Sequence, residues 1–241
     1  MSKILDEGVL TSQSDLQAYP YQIITLDEGH LAELIDFQQS TYNKMQDKKL
    51  YAPIPAEMIR AVLGEKGLTL GLMIRGKVFG FVCFYFPGDD QENLGRDVGL
   101  PDQELVKVVH WERCLIDPEF RGNHMQFRLG ELLVAATKAL DKNYRYMCAT
   151  VAPDNYPSLH QLFDQQNMLA VALKKKYGGL WRFVFFQDIL QPVQLLREEA
   201  REVDCTDFEQ QTAFFQQGYY GFQALQNGGL TRILFARVAM K

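Results

Sequence analysis

The sequence predicts a mixed α/β (α+β) fold, and three observations carry that prediction. First, Lys107 to Ile116 (KVVHWERCLI) reads as a strand that turns at Asp117-Pro118-Glu119-Phe120. It leads into a helix from Gln126 to Lys142, where Leu129, Leu132, Leu133, Ala136 and Leu140 share one face. Second, Thr69 to Arg75 and Lys77 to Phe86 are β-favouring runs joined by the tight Arg75-Gly76-Lys77 connection, the pattern of a hairpin. Third, a strand from Tyr146 to Val151 is broken at Pro153-Asp154-Asn155. A helix from Ser158 to Gln166 follows, then strands Ala170 to Lys176 and Leu180 to Ile189, joined through Tyr177-Gly178-Gly179.

The remaining elements follow in chain order. The first residues are polar and weakly periodic, so 1–21 are expected to form an N-terminal arm, with a short strand at Gln22 to Thr25. From His30 to Met45 the apolar positions Leu31, Leu34 and Ile35 fall at helical spacing, and a second helix opens after Pro53 and Pro55 and stops at Gly64. Between Pro87 and Glu104 lies a long loop carrying Asp89, Asp90, Glu92, Asp97, Asp102 and Glu104. It reads either as a solvated connection or as a wall that attracts a cationic ligand. Residues 207–238 echo 155–188. FDQQNM (Phe163 to Met168) matches FFQQGY (Phe214 to Tyr219), and GGLWRFVFF (Gly178 to Phe186) matches GGLTRILFA (Gly228 to Ala236), with the offset changing by one residue. The segment 190–241 is therefore expected to be a helix–strand–strand extension, a degenerate repeat that extends the sheet, builds a second layer or pairs two chains as a homodimer.

Composition narrows the function classes. Of 241 residues 47% are hydrophobic and 23% charged, which excludes a generally disordered chain. A net charge of −5 argues against a nucleic-acid partner, and the Lys174-Lys175-Lys176 run reads as a solvated strand end. Cys83, Cys114, Cys148 and Cys205 are scattered with no C-x-x-C, so no disulfide and no metal site is expected. Met1 to Leu10 lacks the marks of a signal peptide and no apolar run is long enough to span a bilayer, so a cytoplasmic protein with no membrane association is expected.

The chemistry concentrates in Arg121-Gly122-Asn123-His124-Met125-Gln126, a tight loop feeding directly into a helix. The first amides of a helix have no internal partners and sit at the positive end of its dipole, which makes a ready site for a diphosphate; Arg121 and Arg128 are placed to add positive charge. This stretch resembles the acetyl-coenzyme A loop, R/Q-x-x-G-x-G/A, of the GNAT superfamily of N-acetyltransferases. Together, ERCLIDPEFRGNHMQ, TVAPDNYPSL (Thr150 to Leu159) and KKYGGLWRFVFFQDI (Lys175 to Ile189) look like a bacterial branch with RGNGLQ, HPDN-x-x-S and YGG-x-x-RY motifs. The resemblance covers 22–189. His124 stands at the first glycine position of the loop, where a side chain either meets the diphosphate or demands an unfavourable backbone angle.

The resemblance implies an acyl-CoA N-acyltransferase fold, with a twisted, mostly antiparallel sheet flanked by helices. It implies an acetyl-CoA-dependent N-acetyltransferase that acts by direct attack of a primary amine, with acetyl-CoA as co-substrate and an unidentified acceptor, for which the acidic balance favours a cation. Cofactor contacts fall on Leu115, Ile116, Arg121, Gly122, Asn123, His124, Met125, Gln126, Asn155 and Ser158. Glu112, placed by period-two alternation on the strand face of Cys114 and Ile116, resembles the family's general base, and His110 is a second candidate. Asn155 and Ser158 also read as simple helix caps. Many members carry a tyrosine seven or eight residues after this asparagine to protonate the leaving thiolate; here Leu162 and Phe163 stand there, with Tyr156 and Tyr177 as replacements. The alternative is a non-catalytic acyl-CoA-binding or degenerate GNAT module with a regulatory or interaction role.

Overall fold

A computed structural model describes residues 3–45, 53–140 and 142–239. The chain divides into two compact units, one of 1–86 and 111–143, the other of 87–110 and 144–241.

In the first unit, strand β1 (Ile4–Thr11) pairs antiparallel with β2 (Ala18–Leu26), β2 with β3 (Gly67–Ile74), and β3 with β4 (Lys77–Tyr85). The expected arm is thus largely a strand. Its residues are mostly solvent-facing and only Leu10 is buried, which is why no alternation of polar and apolar residues announces it. The hairpin turn falls at Arg75-Gly76, both with positive φ (51° and 72°), as a two-residue connection between right-twisted strands requires.

Helices α1 (Leu31–Lys44) and α2 (Ala56–Leu63) cover one face of this sheet. Leu34, Phe37, Ile59, Val62 and Leu63 close on Val78, Phe81, Cys83, Tyr85 and Leu115. Each such side chain contributes about 1.5–3 kcal/mol through removal from water. The helices are also tied by polar bonds. Gln38 donates to the Ile54 carbonyl and accepts from the Ile54 N–H (3.0 Å each), and the Thr69 hydroxyl donates to the Val62 carbonyl (2.8 Å).

The second unit contains strand β6 (Tyr146–Val151), parallel to the start of β5 (Val108–Ile116) through Val108, Val109 and His110. Strand β6 is antiparallel to β8 (Leu180–Asp188), and β8 to β7 (Leu169–Lys176). Beyond β7 the sheet continues through β10 (Tyr219–Asn227), β11 (Leu230–Arg237) and β9 (Arg201–Asp204). The repeat therefore extends the sheet. All these pairings except β5 with β6 are antiparallel. Helices α5 (Tyr156–His160) and α6 (Phe208–Gln216) precede the two hairpins.

The acidic loop belongs to this unit and is folded back on it. The short helix α3 (Leu94–Asp97) ends at Asp97, whose carboxylate pairs with both Lys174 and Lys176. Lys174 Nζ also donates to the Asp97 carbonyl (2.9 Å). Burial opposes ionisation of Asp97, but the two lysines outweigh it and hold the carboxyl below its ordinary value. The Asn93 side chain donates to the Gly88 and Leu105 carbonyls (2.7 and 3.1 Å), which fixes the start of the loop. Two sequence expectations change accordingly. Lys174 and Lys176 are not a solvated strand end, and the loop's Asp97 is neutralised within the protein rather than offered to a cation.

Candidate functional site

The site builds from β5 outwards. Trp111 packs against Phe84 of β4 (ring centroids 5.5 Å apart), on the face opposite α1 and α2. Ile116 lies on that same face, where its Cδ1 would stand 2.7 Å from a Cβ added at Gly80. Leu115, by contrast, joins the cluster beneath α1 and α2. Positions 111 and 116 share a face although they are five residues apart, so the strict alternation of a strand is broken between them. The splay expected near Cys114 to Ile116 corresponds to this break.

It also corrects one inference: Glu112, adjacent to Trp111, does not share the face of Ile116. Glu112 is only partly exposed to solvent, and its charge is felt at buried Cys83 of β4. Burial pushes its carboxyl above the ordinary value, with Arg113 offering partial relief. A carboxylate so placed is a better proton acceptor than a solvated one. His110, in the second unit, is excluded from that role. Its Nε2 accepts the Leu94 N–H (2.9 Å), and burial drives its pKa down to about 4, so it is a neutral fastener of the α3 loop.

After β5 the chain turns at Asp117. The Asp117 carboxylate accepts the Glu119 N–H (2.9 Å) and pairs with Lys44 at the end of α1 (2.8 Å). Phe120 is buried between Phe79 and Tyr19, edge-to-face with both rings. The loop then runs through Gly122 (φ 81°) and His124 (φ 58°, ψ 17°) into helix α4 (Met125–Lys138), which packs on β3 and β4. His124 is exposed and caps nothing with its side chain. Of the two consequences expected for a side chain at this position, the structure displays the strained backbone, at roughly 1–2 kcal/mol.

Among the described residues, none accepts a hydrogen bond from the N–H groups of Gly122, Asn123 or His124. Three donors before a fourteen-residue helix, at its positive end, suit a diphosphate.

The loop side chains divide. Arg121 is exposed; its Nε donates to the Ile116 carbonyl (3.4 Å), which leaves its terminal nitrogens for an anion. The Met125 side chain is buried, so only its amide faces this role, and Gln126 is half-buried. Asn123 points to the N-terminal hairpin: its Oδ1 accepts the Thr11 N–H, and its Nδ2 donates to the Thr11 carbonyl (2.9 Å each) and to that of Phe120 (3.0 Å). Arg128 is committed elsewhere, to a bidentate pair with Asp6 of β1 (2.8 and 3.1 Å), and does not add free charge to the loop. Sequence reasoning had no access to the contacts with Thr11 and Asp6, which join residues more than a hundred positions apart.

In the second unit, Asn155 caps α5 by accepting the Ser158 N–H (3.3 Å), so capping accounts for both residues there. Leu162 and Phe163 are buried, Tyr156 stacks on His160, and the Tyr177 hydroxyl shares a hydrogen bond with that of Thr150 (2.9 Å). No described helix is long and apolar enough to cross a membrane.

No protein-family model matches the chain, and no curated protein matches it. Solved structures do. The fold is similar to that of Arabidopsis thaliana NAA60 in complex with acetyl-CoA, at 12% identity and TM-score 0.52, covering 71% of this chain and 99% of that one. It is similar to the same protein with a bisubstrate analogue, at 14% identity and TM-score 0.51, covering 68% and 97%. It also resembles the ribosomal-protein-S18-alanine N-acetyltransferase from Escherichia coli, at 13% identity and TM-score 0.51, covering 70% and 94%. At these identities the likeness speaks to architecture: the chain has the N-acetyltransferase fold expected from its central loop, carried on a twisted, mostly antiparallel sheet and lengthened by a second helix–hairpin unit.

Proposed function

We propose that the chain is an acetyl-CoA-dependent N-acetyltransferase acting on a primary amine of an acceptor still to be identified. The observation that carries this reading is the turn after β5, where the amides of Gly122, Asn123 and His124 have no acceptor among the described residues ahead of α4. The N-acetyltransferase fold supports it, as does the complex of a structural neighbour with acetyl-CoA.

When bound, acetyl-CoA would supply the acetyl group as a thioester. The loop amides and Arg121 would hold its diphosphate. Main-chain N–H groups at the break in β5, at Leu115 or Ile116, would polarise the thioester carbonyl, an effect typically worth ~10²–10³ in rate. Glu112 would take the proton that the amine loses as the C–N bond forms and the C–S bond breaks. The leaving thiolate needs no protein acid, because an alkyl thiol is itself acidic enough (pKa about 8.5) for solvent to complete the step.

The test is Glu112→Gln. Its rate of thiol release with a panel of amines is expected to fall roughly 10²–10⁴-fold while coenzyme A affinity by calorimetry is unchanged. Wild-type activity should rise with pH as Glu112 ionises, with a midpoint above the ordinary 4.5, and the variant should lose this acid limb. Full activity with an unchanged pH profile removes Glu112 from the mechanism. A non-catalytic acyl-CoA-binding module is the second reading, favoured by His124, a side chain held at positive φ (58°) at the loop's first glycine position. Binding of acetyl-CoA without thiol release for any amine would select it.

A further inference from the structure

We infer that the turn of the N-terminal hairpin, through Gln13 and through Thr11 with Asn123, positions the diphosphate loop, so that residues outside the family-like segment set coenzyme affinity. This deepens the proposed function and rests on it.

The argument starts from where the loop's carbonyls go. Gln13 N–H donates to the Glu119 carbonyl (2.8 Å), and Gln13 Nε2 donates to that of Arg121 (2.9 Å). In a trans peptide the C=O and the following N–H point in opposite directions, and the described chain has no cis bond. Drawing the Arg121 carbonyl to Gln13 therefore aims the Gly122 N–H away from the hairpin, outward as a free donor. The same turn holds the loop at two more points. Asn123 grips both main-chain groups of Thr11, and the hydroxyls of Ser12 and Ser14 donate to the Glu119 carboxylate (3.1 and 3.2 Å).

Gly122 allows the approach. Its φ of 81° suits glycine, and a Cβ there would meet Gln13 Nε2 at 3.1 Å. Asn123 is thus a positioning residue, and its side chain is not a ligand contact. The loop needs such support because it contains a strained His124 and lacks the side-chain cap that steadies many helix starts.

The test uses the full chain and two probes measured by calorimetry: coenzyme A, which carries the diphosphate, and S-acetylpantetheine, which does not. Gln13 is exposed, so Gln13→Ala should leave the melting temperature nearly unchanged. Its affinity for coenzyme A is expected to fall roughly five- to tenfold, as loss of one orienting hydrogen bond allows, with affinity for S-acetylpantetheine unchanged. Asn123→Ala should show the same selectivity with a larger loss. Unchanged coenzyme A affinity in both variants overturns the inference, and so does an equal fall for both probes, which would mark a general loosening of the fold. Tighter coenzyme A binding also overturns it, by making the turn a barrier. A wild-type protein that binds neither probe overturns the proposed function itself.

Discussion

The two helix–hairpin units of the second half, 155–188 and 207–237, have nearly the same plan and differ at three places. In both, a side chain opens the helix: Asn155 accepts the Ser158 N–H, and Asp207 accepts the Gln210 N–H. In both, a phenylalanine of the helical segment packs on the second strand, Phe163 on Phe185 and Phe214 on Phe235. The hairpin registers also superpose. Ala170 pairs with Phe185 and Ala172 with Val184, skipping one residue; Gly221 pairs with Phe235 and Gln223 with Leu234, skipping the equivalent one. The two first strands meet at equivalent residues, Ala170 against Gly221, in antiparallel sense. The helices pack reciprocally, α5 on β10 and α6 on β7. Both features are what a local two-fold relation between the units produces.

The differences show where such a unit tolerates change. The first helical segment is one residue longer between its cap and its phenylalanine, and it absorbs the extra residue as a π-turn over Gln161–Gln165. The first hairpin loop has three residues, Tyr177 to Gly179, against two, Gly228 and Gly229. The ladder between them keeps its register, because a slip by one would turn every buried side chain outward. The third difference is at the exit of the hairpin. The first ends at Asp188, paired with Arg145, and the second at exposed Val238.

Removing that anchor should have the largest effect on the comparison. Asp188 accepts from the Arg145 guanidinium (2.6 to 3.1 Å) and from the N–H groups of Leu190 and Gln191 (3.0 Å each). Burial disfavours the charge, but these four donors outweigh it and hold the carboxyl below its ordinary value. Asp188→Asn should cost about 2–3 kcal/mol in urea unfolding at pH 7. Because the folded pKa lies below the unfolded 3.8, this stabilisation is complete above the unfolded value and disappears as pH falls through the folded one. Wild type and variant should therefore converge in strong acid. Val238→Ala, at the equivalent place, should change stability by under about 0.5 kcal/mol. Equal costs at the two positions would erase the third difference.

The meeting point of the units is a finer probe. A Cβ on Gly221 would stand 3.2 Å from that of Ala170 and 3.1 Å from Ile233 Cγ2. Gly221→Ala should cost about 1–2 kcal/mol through overpacking. Exchanging the pair, Ala170→Gly with Gly221→Ala, removes the contact across the local axis and should recover part of that cost, a coupling of ~0.5–1 kcal/mol in a double-mutant cycle. Strict additivity would mean that the two residues do not meet as the pairing requires.

How much of this was legible in the sequence depended on whether a feature is local. Helix α1, helix α2, the Arg75-Gly76 turn and the β5–turn–α4 passage follow from periodicity and turn chemistry within short windows. The repeat was visible, and the one-residue change of offset between its two matched blocks was the trace of the extra loop residue. Strand β1 was missed because its exposed side chains leave no alternation to read. The face of Glu112 was misassigned because period-two counting assumes an unbroken strand. Asp97 with Lys174 and Lys176 was within reach: two lysines at i and i+2 of a strand share a face, and an acidic loop was the partner to look for. The grip of Asn123 on Thr11 was not, since it depends on tertiary folding across 112 positions.

The smallest expected effect tests whether the insertions are as neutral as the conserved ladder implies. Tyr177 has φ 50° in the left-handed region, which costs a non-glycine residue roughly 1–2 kcal/mol, and its side chain is 62% exposed. Its hydroxyl contact with Thr150, itself solvent-accessible, returns about 0.5–1.5 kcal/mol. The two terms nearly cancel. Deleting Tyr177 leaves Gly178-Gly179, the loop already used by the second unit, between Lys176 and Leu180, which pair as Asn227 and Leu230 do. Stability should therefore change by no more than about 0.5 kcal/mol, with the ladder register intact by amide exchange. A retained rate of thiol release would also remove Tyr177 as a source of the leaving-group proton. A loss of several kcal/mol would mean that the three-residue loop is an adaptation of the first unit and not an absorbed insertion.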